Sequence, residues 1–562
     1  MKCDSMRKGM TAALLAVACC TAAGERPLMM IRLRQIADDR QWAETFDILR
    51  TNRGACDEVW FPTSVGFPRL EWHEAHVGRL LRYAGQLRSA GIVPSIGFQA
   101  TLGHSDALTE LEGTDGKSWG GFTGRGGGEC RYVSCPRQPA FVAYMRKVAR
   151  LYASIKPGSF WLNDDLRINN HTPGSPRTDG WIGCWCRTCI AAFSAETQGK
   201  WTRETLDAAM AADATLFDRW ERFSFDGIAA LARAIAEEVH SVSPETRLAY
   251  QHGPWRNDAQ LAVFRAMHEA TGLPVGSRPG GSGYHDFNPN WQMHKAFRAA
   301  RQRRTLGDPA WIDTWCPEIE SYPRAFASRT VQSIIDEAFV NLALGMNTLS
   351  FLVMDVRVEP AEWYGKAILG PLAAERPLFD ACSRHNADAV PAGFVDASAT
   401  ARETLYLEPL YDFALAGIPL LPGPGKAYGS VDDGDLASFR LCNMSSSALL
   451  ELRHRLDART GGRLPVVVET PSVGLVLPQV THDGTLRSVA MLNTRIDLQP
   501  PTLLRLRGVP PGKRTFTWWA LRCRPEELSA MRDGCDALVT VPAIAAWSGG
   551  CLFVDMADGA RP

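Results

Sequence analysis

The sequence predicts an α/β protein: a (β/α)8 TIM barrel, then a small reduced middle region and a C-terminal β-sandwich. Three observations predict it. Short apolar runs alternate with amphipathic helical stretches from about Leu28 to Leu378, the rhythm of repeated β-α units. Polar residues gather just after those runs, at Asp165, His252, Arg278, Glu318 and Asp355, where the strand C-termini of such a barrel build an active site. From Leu464 onward, short alternating strands are separated by Gly and Pro turns, as in a sandwich.

The first strand is Met29–Leu33 and the second Glu58–Phe61. A helix near 74–90 leads to the third, Ile92–Phe98, and a Gly-rich loop over 103–128 follows. The helix 139–154 feeds a fourth strand, Phe160–Leu162, which runs into Asn163, Asp164, Asp165, Leu166 and Arg167. A strongly periodic helix, about 216–239, precedes the fifth strand, Arg247–His252. A weak sixth lies near 273–278, and the seventh, Trp311–Trp315, runs into Cys316, Pro317, Glu318, Ile319 and Glu320. The eighth is Asn347–Asp355. These elements place the barrel at 25–390, the middle region at 391–462 (with 417–425 read as loop) and the sandwich at 463–562.

Charge excludes some partners. Lys+Arg and Asp+Glu both total 61 in 562 residues, so no global field steers the chain toward nucleic acid or an anionic membrane. Most of the 17 Trp read as core, with a few left to stack on sugar faces. Residues 1–24 read as an export signal: Lys2, Arg7 and Lys8 precede the apolar run Met10–Ala18, and small residues follow. That run is too short to span a bilayer, and no other stretch approaches about 18 uninterrupted apolar residues. Cys19 or Cys20 is a loose match to a lipid-attachment site, and cleavage without lipidation fits equally. The expected location is secreted, periplasmic or cell-surface.

Three thiols within six residues, Cys184, Cys186 and Cys189, cannot easily pair off as disulfides. As thiolates they can converge on one soft ion such as zinc, with a fourth ligand from Cys135 or Cys130. The alternative is a reduced or partly disulfide-bonded loop. Four thiolates leave no open position for water, so a zinc here is structural and catalysis needs no cofactor. A catalytic zinc ranks last, since no H-E-x-x-H pattern is present. The other cysteines (Cys56, Cys316, Cys382, Cys442, Cys523, Cys535, Cys551) show no framework spacing and read mostly as buried thiols.

Acids after the fourth and seventh strands face each other across a barrel mouth, a disposition that suits glycoside hydrolysis. Asp164 and Asp165 point to opposite faces unless the strand has ended; one can donate a proton while the other pairs with Arg167. Glu318 and Glu320, two apart, can face the same way, and either can be the nucleophile. Arg131, His252, Arg278, His285 and Asp286 are candidate substrate contacts, with structural roles as the alternative; Asp355 joins them by its place after the eighth strand.

The run Arg131-Tyr132-Val133-Ser134-Cys135-Pro136, a helix, a strand ending in a carboxylate, and Cys184-Trp185-Cys186-Arg187-Thr188-Cys189 before Ala192-Phe193 together resemble glycoside hydrolase family 42. Those enzymes are β-galactosidases with a catalytic barrel, a trimerisation domain and a small C-terminal β domain. The resemblance implies that Cys135, Cys184, Cys186 and Cys189 hold zinc and that Arg131 contacts the sugar. It also implies that Asp165 replaces the Glu of the family's Asn-Glu acid/base pair, with Asp164 at the asparagine position. Glu318 maps to the nucleophile, with Glu320 close behind. Two departures stand out: an Asp for a Glu at the donor position, and no evident tryptophan a few residues beyond the nucleophile. The middle region, 404–429, is short beside a trimerisation domain, so the oligomeric state stays open. The resulting expectation is a secreted retaining β-glycosidase, β-galactosidase-like, acting on a carbohydrate. The alternative is an inactive carbohydrate-binding barrel.

Overall fold

The computed structural model describes residues 26–103, 115–167, 183–253, 257–281, 283–286, 290–397, 408–437, 439–509, 512 and 514–555. The expected export segment lies outside the described residues. Among them no helix is long and apolar enough to cross a membrane.

The barrel strands are β1 (Leu28–Arg32), β2 (Glu58–Pro62) and β3 (Val93–Phe98), then, after an antiparallel hairpin of β4 (Gly121–Thr123) and β5 (Glu129–Ser134), β6 (Ser159–Leu162), β7 (Arg247–His252) and β8 (Val275–Pro279). The seventh barrel strand comes in two pieces, β9 (Ile312–Trp315) and β10 (Glu318–Glu320), and β11 (Thr348–Leu352) is the eighth. All pairings around this sheet are parallel, in the order β10-β11-β1-β2-β3-β6-β7-β8-β9. Pro317 explains the split. It has no N–H to donate, so a ladder cannot run through it. Before it, β9 pairs with β8, with Ser277 opposite Trp315. After it, β10 pairs with β11, with Glu318 opposite Ser350 and Glu320 opposite Leu352. The two half-strands close the barrel between them.

Strand alternation fixes what points inward. Met30, Trp60, Trp161, Ala249 and Cys316 form one buried interior cluster, where Trp60 and Trp161 stack at 4.3 Å between ring centroids. A residue two places further along a strand lies on the same face, nearer the mouth. Amphipathic helices such as Leu70–Ser89, Pro139–Ala153 and Ala214–Val242 bury their apolar stripes against the outside of the barrel.

Beyond the barrel, β12 (Ala389–Asp396) pairs in parallel with β13 (Leu420–Leu421) and β14 (Lys426–Val431). Its first residues pair antiparallel with β16 (Leu475–Thr481), so the middle region shares a sheet with the C-terminal strands. That sheet continues through Leu486–Asn493, Ser548–Val554, Phe516–Ala520 and Glu526–Leu528. A smaller antiparallel sheet combines Val466–Val468, Thr502–Leu506, Asp536–Val541 and Ala530–Asp533. Val468, Leu504 and Val539 from the second sheet bury against Val489, Trp518 and Leu552 from the first, the packing of a β-sandwich. The larger sheet also rests on the barrel, where the Gln479 side-chain amide donates to the Ala343 carbonyl at 2.6 Å.

Candidate active site

Glu318 is the most constrained acid of the barrel mouth. Its side chain is 6% exposed, and the Arg278 guanidinium from the end of β8 contacts Oε1 at 2.5 Å. The Gly281 N–H donates to Oε2 at 3.0 Å, and the Tyr284 hydroxyl, which donates to the Gly281 carbonyl at 2.6 Å, lies 3.2 Å from the same oxygen. Burial alone would push this carboxyl up, but Arg278, Lys295 and Arg32 overcome it and hold it below the ordinary glutamate range. Lys295 is itself anchored at 3.4 Å to the wholly buried Glu337, which also accepts from Arg329 at 2.8 Å. The outcome is a fixed, ionised carboxylate.

Glu320 shares that face of β10 but differs in state. Arg324 donates to its Oε1 at 2.6 Å, while Arg32 stands 3.7 Å from Oε2 and 3.9 Å from Glu318 Oε1. Burial and the negative charge of Glu318 raise its pKa, against Arg32, Arg324 and Lys295. Two buried carboxyls this close are easier to hold with one of them protonated.

Across the mouth, β6 stops at Leu162 and a turn carries both aspartates. Asp165 is 2% exposed, accepting from Arg167 at 3.1 Å and from the Asn163 amide at 3.2 Å. Asp164 is more open, with a side chain 28% exposed and Arg167 at 3.8 Å. Its charge is felt by Glu318, Arg278, Tyr284 and His252. Asp164 is thus the more exposed of the two aspartates, whereas Asp165, the donor that the resemblance implies, is the more buried and the more closely paired with Arg167.

The remaining predicted contacts divide. Arg278 is in the site but is spent on Glu318. His252, expected to touch substrate, is corrected: it is wholly buried, with Nδ1 2.6 Å from Gln260 Oε1 and Nε2 2.8 Å from Ser277 Oγ. Burial first, then Arg278, pushes its pKa down to about 4, so it is a neutral spacer between strands. Asp355 sits at the rim in a two-point pair with Arg357, at 2.9 and 2.8 Å. Asp286 is likewise corrected; it accepts from the Thr330 N–H at 2.7 Å and from the Ser333 hydroxyl, also at 2.7 Å, and so anchors a loop. The Arg131 side chain lies outside the described residues. Sequence reasoning missed Tyr284, Lys295 and Arg32. The polar end of the first apolar run was a signal for Arg32, whereas Tyr284 is one aromatic in a Gly-rich loop.

The sulfur cluster is a separate structure. Cys135, Cys184, Cys186 and Cys189 offer four Sγ atoms all within 4.8 Å of one another, with Cys135 3.4 Å from Cys189 and 3.7 Å from Cys186. Tetrahedral Zn–S bonds of about 2.3 Å imply sulfurs about 3.8 Å apart, so the set fits a structural zinc. Cys135 follows β5, and Cys186 caps the helix Arg187–Thr197. The Trp185 N–H donates to the Thr123 carbonyl at 2.8 Å and the Thr123 N–H to Cys184 Sγ at 3.3 Å. The cluster pins the hairpin to the segment that follows the fourth barrel strand.

No protein-family model matches the sequence, and no curated protein matches it. Among solved structures the fold is that of a glycoside-hydrolase-like barrel with C-terminal β sheets. A β-galactosidase from Bacillus circulans sp. alkalophilus superposes with TM-score 0.50 and 9% identity over 94% of this chain and 99% of that one. β-Galactosidases from the Antarctic haloarchaeon Halorubrum lacusprofundi and from Rahnella sp. R3 both give TM-score 0.48, at 10% and 9% identity, over 94% and 95% of this chain and 99% and 98% of theirs. The chain is thus similar in fold to family 42 β-galactosidases over most of its length, and it has the four-cysteine cluster.

Proposed function

We propose that this chain is a retaining β-glycosidase in which Glu318 is the nucleophile and Asp164 the proton donor. Asp164, preceded by Asn163, then takes the donor role that the family resemblance gives to Asp165. The observation that carries the reading is an ionised Glu318 held by Arg278 and the Gly281 N–H, together with a more accessible carboxyl on the turn after the fourth barrel strand. In this reaction a Glu318 oxygen attacks the anomeric carbon as the bond to the departing oxygen breaks, and Asp164 delivers its proton to that oxygen. Water then attacks the glycosyl ester, returning one proton to Asp164 and releasing the sugar and the Glu318 carboxylate. An aspartate is one methylene shorter than a glutamate, so the turn after β6 has to bring Asp164 closer to the scissile bond.

The test is hydrolysis of a panel of aryl β-glycosides by the full chain, with product anomers followed by NMR. Turnover that yields the β-anomer first and disappears in Glu318→Ala supports the reading. Inversion, or turnover indifferent to Glu318, overturns it, and saturable sugar binding without cleavage favours the binding-protein alternative. The basic-then-apolar N-terminus supports export; N-terminal sequencing of the protein from its native host would find a start near residue 25, and a retained Met1 would speak against it. Zinc at the four cysteines serves the loop and takes no part in the reaction.

A further inference from the structure

Two cysteines outside the four-cysteine cluster meet where the barrel joins the sandwich. Cys382 lies in the last turn of the helix Gly370–His385, which follows the eighth barrel strand. Cys551 lies in the strand Ser548–Val554 of the larger sheet. Strand alternation sets the face that Cys551 presents. Cys551 and Phe553 pack into the core shared with the barrel, whereas Leu552 and Val554 pack into the interior of the sandwich.

On the helix, Cys382 and His385 stand one turn apart and share a face. The two faces meet in register. The His385 ring meets Phe553 edge-on, with centroids 5.2 Å apart, and its Nε2 lies 3.0 Å from the Arg487 carbonyl. The Ser488 hydroxyl, on the residue paired with Phe553, donates to Asn386 Oδ1 at 2.8 Å. One step along, the Cys382 and Cys551 thiols meet each other. Both residues line a cavity of about 240 Å³ at this joint, with Cys382 8% and Cys551 1% exposed. The Cys551 sulfur first, then burial, pushes the Cys382 thiol well above its ordinary range.

We propose that Cys382 and Cys551 form a disulfide in the mature protein, a covalent staple between the barrel and the C-terminal sandwich. It goes beyond the hydrolase reading and stands or falls without it. The oxidant is a disulfide, of the kind an exported chain meets. The Cys382 thiolate attacks one sulfur of that disulfide and releases one thiol. The Cys551 thiolate then attacks the Cys382 sulfur of the mixed disulfide and releases the second. Two protein thiols are oxidised, one disulfide is reduced to two thiols, and the two protons end on the leaving sulfurs. A raised thiol carries little thiolate, so exchange in the closed joint is slow. The bond therefore forms as the joint closes and is sheltered afterwards. The loop it closes holds the whole middle region and most of the sandwich, so it restrains the unfolded chain strongly.

The experiment produces the full chain twice with zinc supplied, once exported to a bacterial periplasm and once retained in the reducing cytoplasm. Free thiols are blocked with iodoacetamide in denaturant, and the non-reduced peptides are mapped by mass spectrometry. A linked Cys382–Cys551 peptide is expected in most exported molecules and in few retained ones. Tm should be higher by about 3 °C or more in the exported form. That difference should vanish in Cys382→Ala and in Cys551→Ala. Comparing each variant between the two compartments cancels the cost of the substitution itself. Should either variant fail to fold, the unaltered chain still decides by its peptide map and its own Tm difference. Recovery of both cysteines as blocked thiols, either one joined to a different cysteine, or a link without a Tm difference overturns the staple. No glycoside is turned over in any of these steps, so failure of the hydrolase reading leaves the result untouched.

Discussion

The seventh-strand side of the mouth carries its acid within a strand, against β8 and the loop that follows it, whereas the fourth-strand side carries its acids on a turn. Glu318 lies within β10 and is held by Arg278 and the Gly281 N–H, with the Tyr284 hydroxyl alongside. Asp164 and Asp165 follow a strand that has already ended, and Arg167 serves both. A strand fixes an inward side chain by parity; a turn does not. The Glu318 side is therefore preorganised by the barrel, and the side of Asp164 and Asp165 depends on its turn and on the cysteine cluster whose Cys184, Cys186 and Cys189 lie after it in the chain.

The comparison can be broken at its strongest point first. Glu318→Gln is expected to lower kcat by more than about 10⁴-fold, above the range of general acid–base effects. A loss of that size should appear with Tm little changed. Next, Asp164→Asn should lower kcat by about 10²- to 10⁴-fold on poor leaving groups and much less on activated aryl leaving groups, which need no proton. Asp165→Asn should act chiefly on stability, because it removes the buried negative charge that Arg167 meets at 3.1 Å. Equal kinetic effects from the two aspartates would restore the original assignment to Asp165.

Much of the fold was legible, for a physical reason. Eight apolar runs separated by amphipathic helices leave little choice of architecture, and the strands near 275 and 312 emerged even where the signal was short. Glu318 and Glu320 were legible as a pair because period-two spacing puts both on one face. The assignment of the donor was not, since it turns on whether β6 ends at Leu162 or one residue later. His252 looked like a ligand contact because it ends an apolar run; only the fold reveals Gln260 and Ser277 on its two nitrogens. Pro317 was visible, but its role in handing the ladder from β8 to β11 requires the closed sheet.

Smaller effects sharpen the same contrast. Chelation of zinc from the folded protein should lower Tm by about 5 °C or more, with mass spectrometry reporting the metal lost. Activity measured well below the new Tm should fall through the donor side, most on poor leaving groups. The pH profile should show the other side. Glu318 is held below the ordinary glutamate value of about 4.3, so kcat/KM should persist as pH falls through that value and decline only below it. The sign for stability is the same: a depressed carboxyl contributes above its unfolded pKa and loses that contribution as pH falls through the folded one. An acid limb well above pH 4.3 that is absent in Glu320→Gln would assign the essential ionised acid to Glu320 instead.

The central claim is that Glu318 attacks the sugar, and covalent trapping tests it most directly. Incubation with an activated 2-deoxy-2-fluoro β-glycoside, followed by peptide mass spectrometry, should find one glycosyl group on Glu318. Label on Glu320 or Asp164, or full turnover of unmodified aryl glycosides without any trapped ester, would contradict it.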